Sequence, residues 1–574
     1  MKNQEIAALF YEIANLLEIK NIQWKPRAYR KAAQTIESLA EPIEDVYKKG
    51  GIKALKEIPG IGQGLAEKIE EYLKTGNIKE IKKLKKSLPK GLDELMQISS
   101  LGPKKIMYLY KKLKIKNLKD LEQAIKNYKL RNLFGFGAKT EENISRGIGL
   151  FKASKERLLL GIALPTANLI VDKLKKLKEV HKISVAGSLR RMKETIGDID
   201  ILVTSPKPEI VTKTFTTLPE VSKILAKGKT KSMVILKNGI QADVRVVDDA
   251  SFGAALQYFT GSKDHNIKLR EIAIRKGYKL NEYGLFKRTG RKIAGKTEGE
   301  IYKKLGLSYI EPELRENLGE IELARQNNLP KLVELKNIRG DLHVHTNWSD
   351  GDEDIETMVK AAVERGYEYI AITDHSKRSA IAKGLDEKRL MKQIKEIERL
   401  RNGYKNIKIL TGSEVDILAD GTLDFPDDII KKLDIVVAAI HSGWKMPKEK
   451  MTKRIIRALE NPYVDILDHP TGRLINKRPA YEVDLEEIFK VARKNKKLLE
   501  INAQIDRLDL KDTYIKAAID HGLNLVISTD AHSIENLDFM QYGVAQAKRG
   551  FAAKEDIINT LSFKELKKYL KKLN

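Results

Sequence analysis

The chain has 574 residues and a formal net charge of +28, from 107 Lys and Arg against 79 Asp and Glu. That length exceeds what one core organises, so several domains are expected, and the positive field suits a polyanionic partner. With no cysteine, no apolar run of membrane-spanning length and no signal-peptide core behind Met1-Lys2-Asn3, a soluble cytoplasmic protein is expected, with any metal held by His, Asp and Glu.

Residues 1–150 read as all-helical. Ile6, Leu9, Phe10, Ile13, Leu16 and Leu17 recur at helical spacing and mark one apolar face. Ile58-Pro59-Gly60-Ile61-Gly62-Gln63-Gly64 then leads into a second amphipathic helix carrying Leu65, Ile69, Tyr72 and Leu73. A Gly-x-Gly turn opening a helix leaves unpaired amides at the positive end of the dipole, where a phosphate can sit. Ser99-Ser100-Leu101-Gly102-Pro103-Lys104-Lys105 repeats the pattern, and Gly135-Phe136-Gly137-Ala138-Lys139 is a poorer third copy. Two good copies in a basic helical region resemble helix-hairpin-helix motifs, which grip DNA backbone without reading sequence; Gly60, Gly62, Gly64, Gly102 and Lys104 are the residues concerned.

The next segment carries paired carboxylates. Gly187-Ser188-Leu189-Arg190-Arg191 precedes Gly197-Asp198-Ile199-Asp200-Ile201-Leu202-Val203. Residues two apart on a strand share a face, so Asp198 and Asp200 point one way while Ile199, Ile201 and Val203 point the other. Close like charges call for a cation between them, and a divalent metal is the usual one. The Gly-Ser turn offers backbone amides to a phosphate and Arg191 a planar fork of donors. Asn238-Gly239 between two β-rich runs signals a hairpin, which puts Asp243 inside a strand where an aspartate is disfavoured. Three such carboxylates beside a phosphate cradle point to phosphoryl or nucleotidyl transfer.

On these residues, and on Tyr258-Phe259-Thr260-Gly261-Ser262, the first 325 residues resemble the family X DNA polymerases. The resemblance implies that Asp198, Asp200 and Asp243 hold two divalent ions, Mg2+ or Mn2+, with Asp243 also activating the primer 3′-hydroxyl. It implies nucleotide binding by Gly187, Ser188, Arg191, Tyr258, Phe259 and Gly261, a base-edge contact by Asn266 and a template contact by Arg270. Lys25 and Tyr29 match 5′-phosphate contacts, and Lys68 matches the Schiff-base lysine of a deoxyribose-phosphate lyase. Three positions depart from vertebrate members of that family: Gly64 stands in place of a phosphate-binding lysine, Lys263 of an acidic residue, and Gln241 of an arginine.

Seven of the nine histidines lie beyond residue 340. His343 and His345 share a strand face, and apolar runs end at His375, His441, His469 and Asp530-Ala531-His532, while a shorter run leads to Glu414. Short apolar runs alternating with amphipathic helices read as parallel strands of an α/β barrel, whose active sites gather at the C-terminal strand ends. With only N and O donors, zinc, manganese and iron all fit. His343-x-His345, Ser349-Asp350-Gly351, Thr373-Asp374-His375 and Asp530-x-His532 resemble the motifs of the PHP (polymerase and histidinol phosphatase) domain. That resemblance implies three ions (Zn2+, Mn2+ or Fe2+): one on His343, His345, Glu414 and Asp530, a second on Glu414, His441 and His469, and a third on Asp350, His375 and His532. Hydrolysis of a phosphodiester or phosphomonoester is the expected chemistry, with Arg473 as a phosphate contact.

The expected architecture is therefore multidomain. It comprises an all-α helix-hairpin-helix N-terminal region (a lyase-like domain at 1–88 and a fingers-like domain at 89–150), an α/β nucleotidyltransferase palm (151–265) with a thumb (266–325), a linker (326–339) and a distorted α/β barrel, the PHP domain (340–574). The expected function is a monomeric DNA-directed DNA polymerase that fills short repair gaps, taking dNTPs and gapped or primer-template DNA. The second site would act as a 3′→5′ exonuclease, an abasic-site endonuclease or a 3′-end processing enzyme. The alternatives are a nucleotidyltransferase on a non-DNA substrate, and a DNA-binding scaffold with a silent PHP domain.

Overall fold

The computed structural model describes residues 2–570 apart from 21, 23–24, 39–42, 87–91, 96–97, 99–100 and 156. The expected boundary at 88/89 and the Ser99-Ser100 start of the second hairpin motif lie outside the described residues. The chain forms two compact units, Met1–Glu156 and Arg157–Asn574.

The first unit is helical, as the 3.6-residue periodicity predicts. It holds two apolar cores, one around Phe10, Ile13, Ile36 and Ile69, the other around Leu95, Ile106, Leu121 and Ile144. Gly60 turns with φ +85° ahead of the helix Gln63–Thr75, whose N-cap is Gly62 with no side-chain cap. The helix Pro103–Leu113 opens the same way on Gly102. In both hairpin motifs the N-cap is a glycine, which itself offers the first-turn amides no side-chain acceptor.

In the second unit, the strands β1 (Lys182–Val185), β2 (Asp198–Thr204), β3 (Val221–Lys227), β4 (Lys231–Leu236) and β5 (Gln241–Val247) form one sheet in the order β1-β2-β5-β4-β3. β4 and β5 make the antiparallel hairpin expected at Asn238-Gly239, with Gly239 at φ +88°. β2 and β5 run parallel in the sheet centre. Ile199, Ile201 and Val203 are buried against the palm helices, which leaves the other face of β2 for the aspartates. A three-stranded antiparallel sheet over Tyr278–Asn281, Gly284–Lys287 and Lys292–Ala294 follows.

The remainder is a seven-stranded parallel sheet in sequential order: β6 (Gly340–Val344), β7 (Tyr369–Ile372), β8 (Lys408–Asp416), β9 (Ile435–Ala439), β10 (Ile466–Leu467), β11 (Leu498–Asn502) and β12 (Leu525–Ser528). A parallel bridge between Val344 and Ala531 brings the first and last strands together, so the sheet curls into a nearly closed barrel. Its strands are buried on both faces, as near-continuous apolar runs require. One set of side chains packs on the surrounding helices. The other, with Leu342, Val437 and Val526, fills the interior and is sealed by Leu566 and Leu570 near the C-terminus.

Palm and barrel share packing. Ile505 and Leu508, in the loop after β11, join the palm core, and a Cβ on Gly161 would meet Ile505 Cγ2 at 2.2 Å. No helix among the described residues is long and apolar enough to cross a membrane.

Candidate active sites

The central parallel pair sets the geometry of the first site. Asp200 lies directly across from Asp243, and Asp198 across from Gln241. Asp200 also packs on Gly187, where any Cβ would stand 2.3 Å from Asp200 Oδ2. With φ +61°, Gly187 is demanded both by its backbone and by that close approach. Burial, reinforced by the charges of Asp198 and Asp243, pushes the Asp200 carboxyl up to about 7. Asp198 keeps more contact with solvent, yet partial burial and Asp243 raise it as well. Lys231 Nζ stands 3.5 Å from Asp243 Oδ2, and Gln241 Nε2 donates to Asp243 Oδ1 at 2.8 Å. A small cavity of about 90 Å³ opens between Asp200, Asp243, Arg245 and Phe259. Asp198 and Asp200, raised by burial and by neighbouring carboxylate charge, form with Asp243 a donor set that a divalent cation suits.

The flanking residues are held in place. Arg190 grips Glu298 through two bonds of 2.9 and 2.7 Å, and Arg191 Nε donates to Glu316 Oε1 at 2.9 Å. Tyr258 and Phe259 meet edge-to-face at 5.2 Å, and the Arg245 guanidinium stacks 4.6 Å from the Phe259 ring. Ser188 is half-buried beside the turn, and Gly261 comes within reach of Arg191. Asn266 donates to the Tyr258 carbonyl at 2.7 Å, which fixes the aromatic turn to the next helix. Arg270 is exposed.

In the helical unit, Tyr29 is buried against Phe10 and its hydroxyl donates to Glu80 Oε2 at 2.7 Å. Lys68 Nζ pairs with the same Glu80 oxygen at 3.0 Å. The Tyr29 hydroxyl, expected as a 5′-phosphate contact, is thus given to Glu80 in this structure. The Lys68 amine is likewise engaged in an ion pair. Lys25 is exposed, and the Lys104 side chain lies outside the described residues.

The second site lies at the C-terminal ends of the barrel strands, where the sequence placed it. Four groups could each surround an ion: His345, Asp350, His375 and His532; Glu414, His441, Asp468 and His469; His343, His345 and Asp530; and His343, Asp468 and Glu500. All nine residues expected as ligands are therefore gathered in one cluster. Glu414 sits among three histidines, 2.7 Å from His375 Nδ1, 3.1 Å from His441 Nε2 and 3.5 Å from His469 Nε2. Burial opposes its ionisation, but His375 and His441 outweigh burial and hold its carboxyl well below the usual range. Burial and the neighbouring His532 and His375 hold His345 down at about 4, so its imidazole is neutral with a free lone pair. The strand ends are bent to serve the cluster: His469 and Asp530 adopt left-handed φ values of 22° and 51°.

The donor set fits resident cations. His345 Nδ1, His469 Nδ1 and Asp468 Oδ1 are buried without a hydrogen-bond partner, and His469 Nε2 faces Asp468 Oδ2 at 2.8 Å. Buried donors of this kind are costly unless an ion takes them.

Two carboxylates of this cluster, Asp468 and Glu500, were not anticipated. Glu500 Oε1 stands 2.8 Å from His343 Nδ1, and burial with the Asp468 charge keeps it well above the usual range. Glu500 interrupts the apolar run of β11, the signal that singled out Asp243, whereas Asp468 directly follows β10. Asp416, two residues beyond Glu414, likewise accepts from His441 Nδ1 at 3.1 Å and orients that ring. Arg473, expected as a phosphate contact, is engaged within the protein. Its Nε donates to the Arg507 carbonyl at 2.9 Å, and its Nη2 reaches Glu194 Oε2 at 2.8 Å and the Leu508 carbonyl. It braces a loop against the palm through its Nε and Nη2.

A carboxylate-bearing palm and a histidine-lined parallel barrel in one chain define a nucleotidyltransferase joined to a metal-dependent phosphoesterase. Comparison with known proteins agrees, domain by domain. Residues 164–251 match the DNA polymerase beta palm and 255–316 its thumb. Residues 1–78 match a helix-hairpin-helix domain, 92–148 a SAM-like helix-hairpin-helix tandem, and 341–504 the PHP domain. The chain is 40% identical over 576 residues to the DNA polymerase/3'-5' exonuclease PolX of Bacillus subtilis (strain 168), covering 100% of both proteins. Its last part is 30% identical over 242 residues to a protein named probable phosphatase of Thermoanaerobacter sp. (strain X514), covering 40% of this chain and 94% of that one. The chain belongs to the family X DNA polymerases that carry a C-terminal PHP domain.

Proposed function

We propose that this chain extends a primer across short DNA gaps at the palm and removes 3′-terminal nucleotides at the PHP site. The observation that carries the first half is the register of Asp200 against Asp243 beside Gly187 and Arg191. Asp198, Asp200 and Asp243 would hold two Mg2+ or Mn2+ ions, which supply acidification of the primer hydroxyl and neutralisation of the leaving pyrophosphate. Ser188 and Arg191 then receive the triphosphate of a dNTP, Tyr258 and Phe259 line the sugar, and Arg270 projects to the template. The half-free hairpin amides at Gly62 and Gly102 take backbone phosphates on either side of the gap, a sequence-independent grip.

At the PHP site, the histidines and carboxylates around Glu414 would hold three ions of zinc, manganese or iron. The relative from Bacillus subtilis is named for both polymerase and 3'-5' exonuclease activity over its whole length, which supports pairing the two activities here. Repair gaps, a monomeric state and a cytoplasmic location complete the reading. Lyase chemistry is not part of it, because Glu80 occupies both Lys68 and Tyr29.

Incorporation of a single dNTP on a one-nucleotide gap tests the palm assignment. The chain should extend a DNA primer with Mg2+ or Mn2+ present, and Asp200→Ala should abolish extension while DNA binding persists. Equal transfer to a nucleotide acceptor without a template would contradict the assignment.

A further inference from the structure

Arg473 has its Nε and Nη2 engaged in bracing a loop, so a second arginine at the PHP site bears on phosphate binding. The cavity in front of the histidines has a volume of about 420 Å³ and is lined by Asp350, His375, His441, Asp530, His532 and Arg507. Arg507 enters from the loop after β11, with Nε 3.6 Å from Asp530 Oδ2. Its Nη1 is buried and has no hydrogen-bond partner. A guanidinium fork that spends one edge near a carboxylate and keeps a buried donor unused is suited to a planar, bidentate anion contact.

The loop that carries Arg507 is unusually well held. Arg473 bonds the Arg507 and Leu508 carbonyls from one side and reaches Glu194 of the palm from the other. Ile505 seats on Gly161, and Leu508 is fully buried in the palm core. Backbone fixed on one face therefore presents one side chain to the cavity on the other.

We propose that Arg507 binds the scissile phosphate of the DNA strand degraded at the PHP site, and that Arg473, tied to Glu194 of the palm, positions it. This rests on the reading of that site as a phosphodiesterase. In the reaction, a water oxygen bonds to phosphorus, the P–O3′ bond breaks, and the departing 3′-oxygen ends with a proton from that water. Arg507 meets the non-bridging oxygens, on which negative charge builds as the bond to water forms. Arg473 is a positioning residue only, acting through the loop carbonyls.

The test uses the full chain on a single-stranded oligonucleotide with a labelled 5′ end, and measures metal content of each variant by elemental analysis. Arg507→Ala should lower kcat/KM for 3′-end degradation by about 100-fold or more, the size expected for one lost charge-stabilising donor. Metal content should be unchanged, and added guanidinium should restore part of the rate. Arg507→Lys should recover some activity, since it returns the charge without the fork. Arg473→Ala should give a smaller loss that guanidinium does not restore. Gap filling by the same samples reports that each variant is folded. Arg507→Ala degrading DNA within about threefold of the unsubstituted chain, a range set by mutations remote from chemistry, would overturn the proposal, as would loss of activity in step with loss of metal. Absence of degradation by the unsubstituted chain would instead overturn the phosphodiesterase reading itself.

Discussion

Arg191, which follows the Gly187-Ser188 turn, forms an ion pair with Glu316, with Arg191 Nε 2.9 Å from Glu316 Oε1. The same oxygen lies 3.2 Å from Arg549 Nη1, and Arg549 in turn holds Asp512 and donates to the Arg191 carbonyl at 2.7 Å. The arginine assigned to the triphosphate is thus tied, through one carboxylate, to the barrel. An incoming dNTP has to compete with Glu316 for Arg191. Glu316→Gln should lower the KM for dNTP by about tenfold or more, since a partly buried charged hydrogen bond contributes about 1.5–3 kcal/mol. Steady-state gap filling over a dNTP series measures this, and a raised KM would show that Glu316 orients Arg191 instead of competing for it.

Glu298 anchors the palm to the segment after the thumb sheet. It accepts from Arg190 and from the fully buried Arg315, 2.5 Å away. Burial works against its charge, but these two arginines overcome burial and bring its carboxyl from 4.5 down to about 2. A folded-state value below the unfolded one contributes stability that is present above the unfolded value and is lost as pH falls through about 2. Glu298→Gln should cost about 3–5 kcal/mol near neutrality by stranding buried Arg315. Melting curves of both chains across pH should converge in acid; a gap that persists at pH 2 would contradict the assignment.

Resident ions at the PHP site would bind the folded chain only. Dialysis against a chelator should lower the melting temperature, and readdition of Mn2+ or Zn2+ should restore it. At 100 times the dissociation constant, the linked stabilisation is about 2.7 kcal/mol. An unchanged melting temperature would mean that the buried His and Asp donors are satisfied without metal.

The seat between palm and barrel is tight at Gly161. Gly161→Ala forces a Cβ onto Ile505, with overpacking worth about 1–3 kcal/mol. Because Ile505 lies on the Arg507 loop, 3′-end degradation should fall more than gap filling. Equal losses in the two assays would indicate general destabilisation.

Much of both sites was legible in short-range pattern. Period-two spacing gave Asp198 and Asp200 a common face, and Asn238-Gly239 implied the hairpin that delivers Asp243 across from Asp200. Histidines at the ends of apolar runs located the barrel cluster for the same reason, since each run is a strand and each strand end faces the site. What periodicity does not carry is the direction of a side chain in an irregular loop. Arg473 follows His469 closely but runs to the palm, while Arg507 reaches the cavity from a distant loop. Tyr29, Lys68 and Glu80 meet only through packing of separate helices, so the acceptor that claims the first two had no local signature. Glu500 did have one, as a carboxylate within an apolar strand, and Asp468 stands at a strand end beside His469.

The central claim is that two separate metal centres on this chain perform opposed reactions at a DNA end. Crossing two variants with two assays tests it most directly: Asp243→Ala and His343→Ala, each measured for dNTP addition on gapped DNA and for 3′-end degradation. The account predicts that Asp243→Ala abolishes addition and spares degradation, and that His343→Ala does the reverse. Loss of both activities in either folded variant would contradict it.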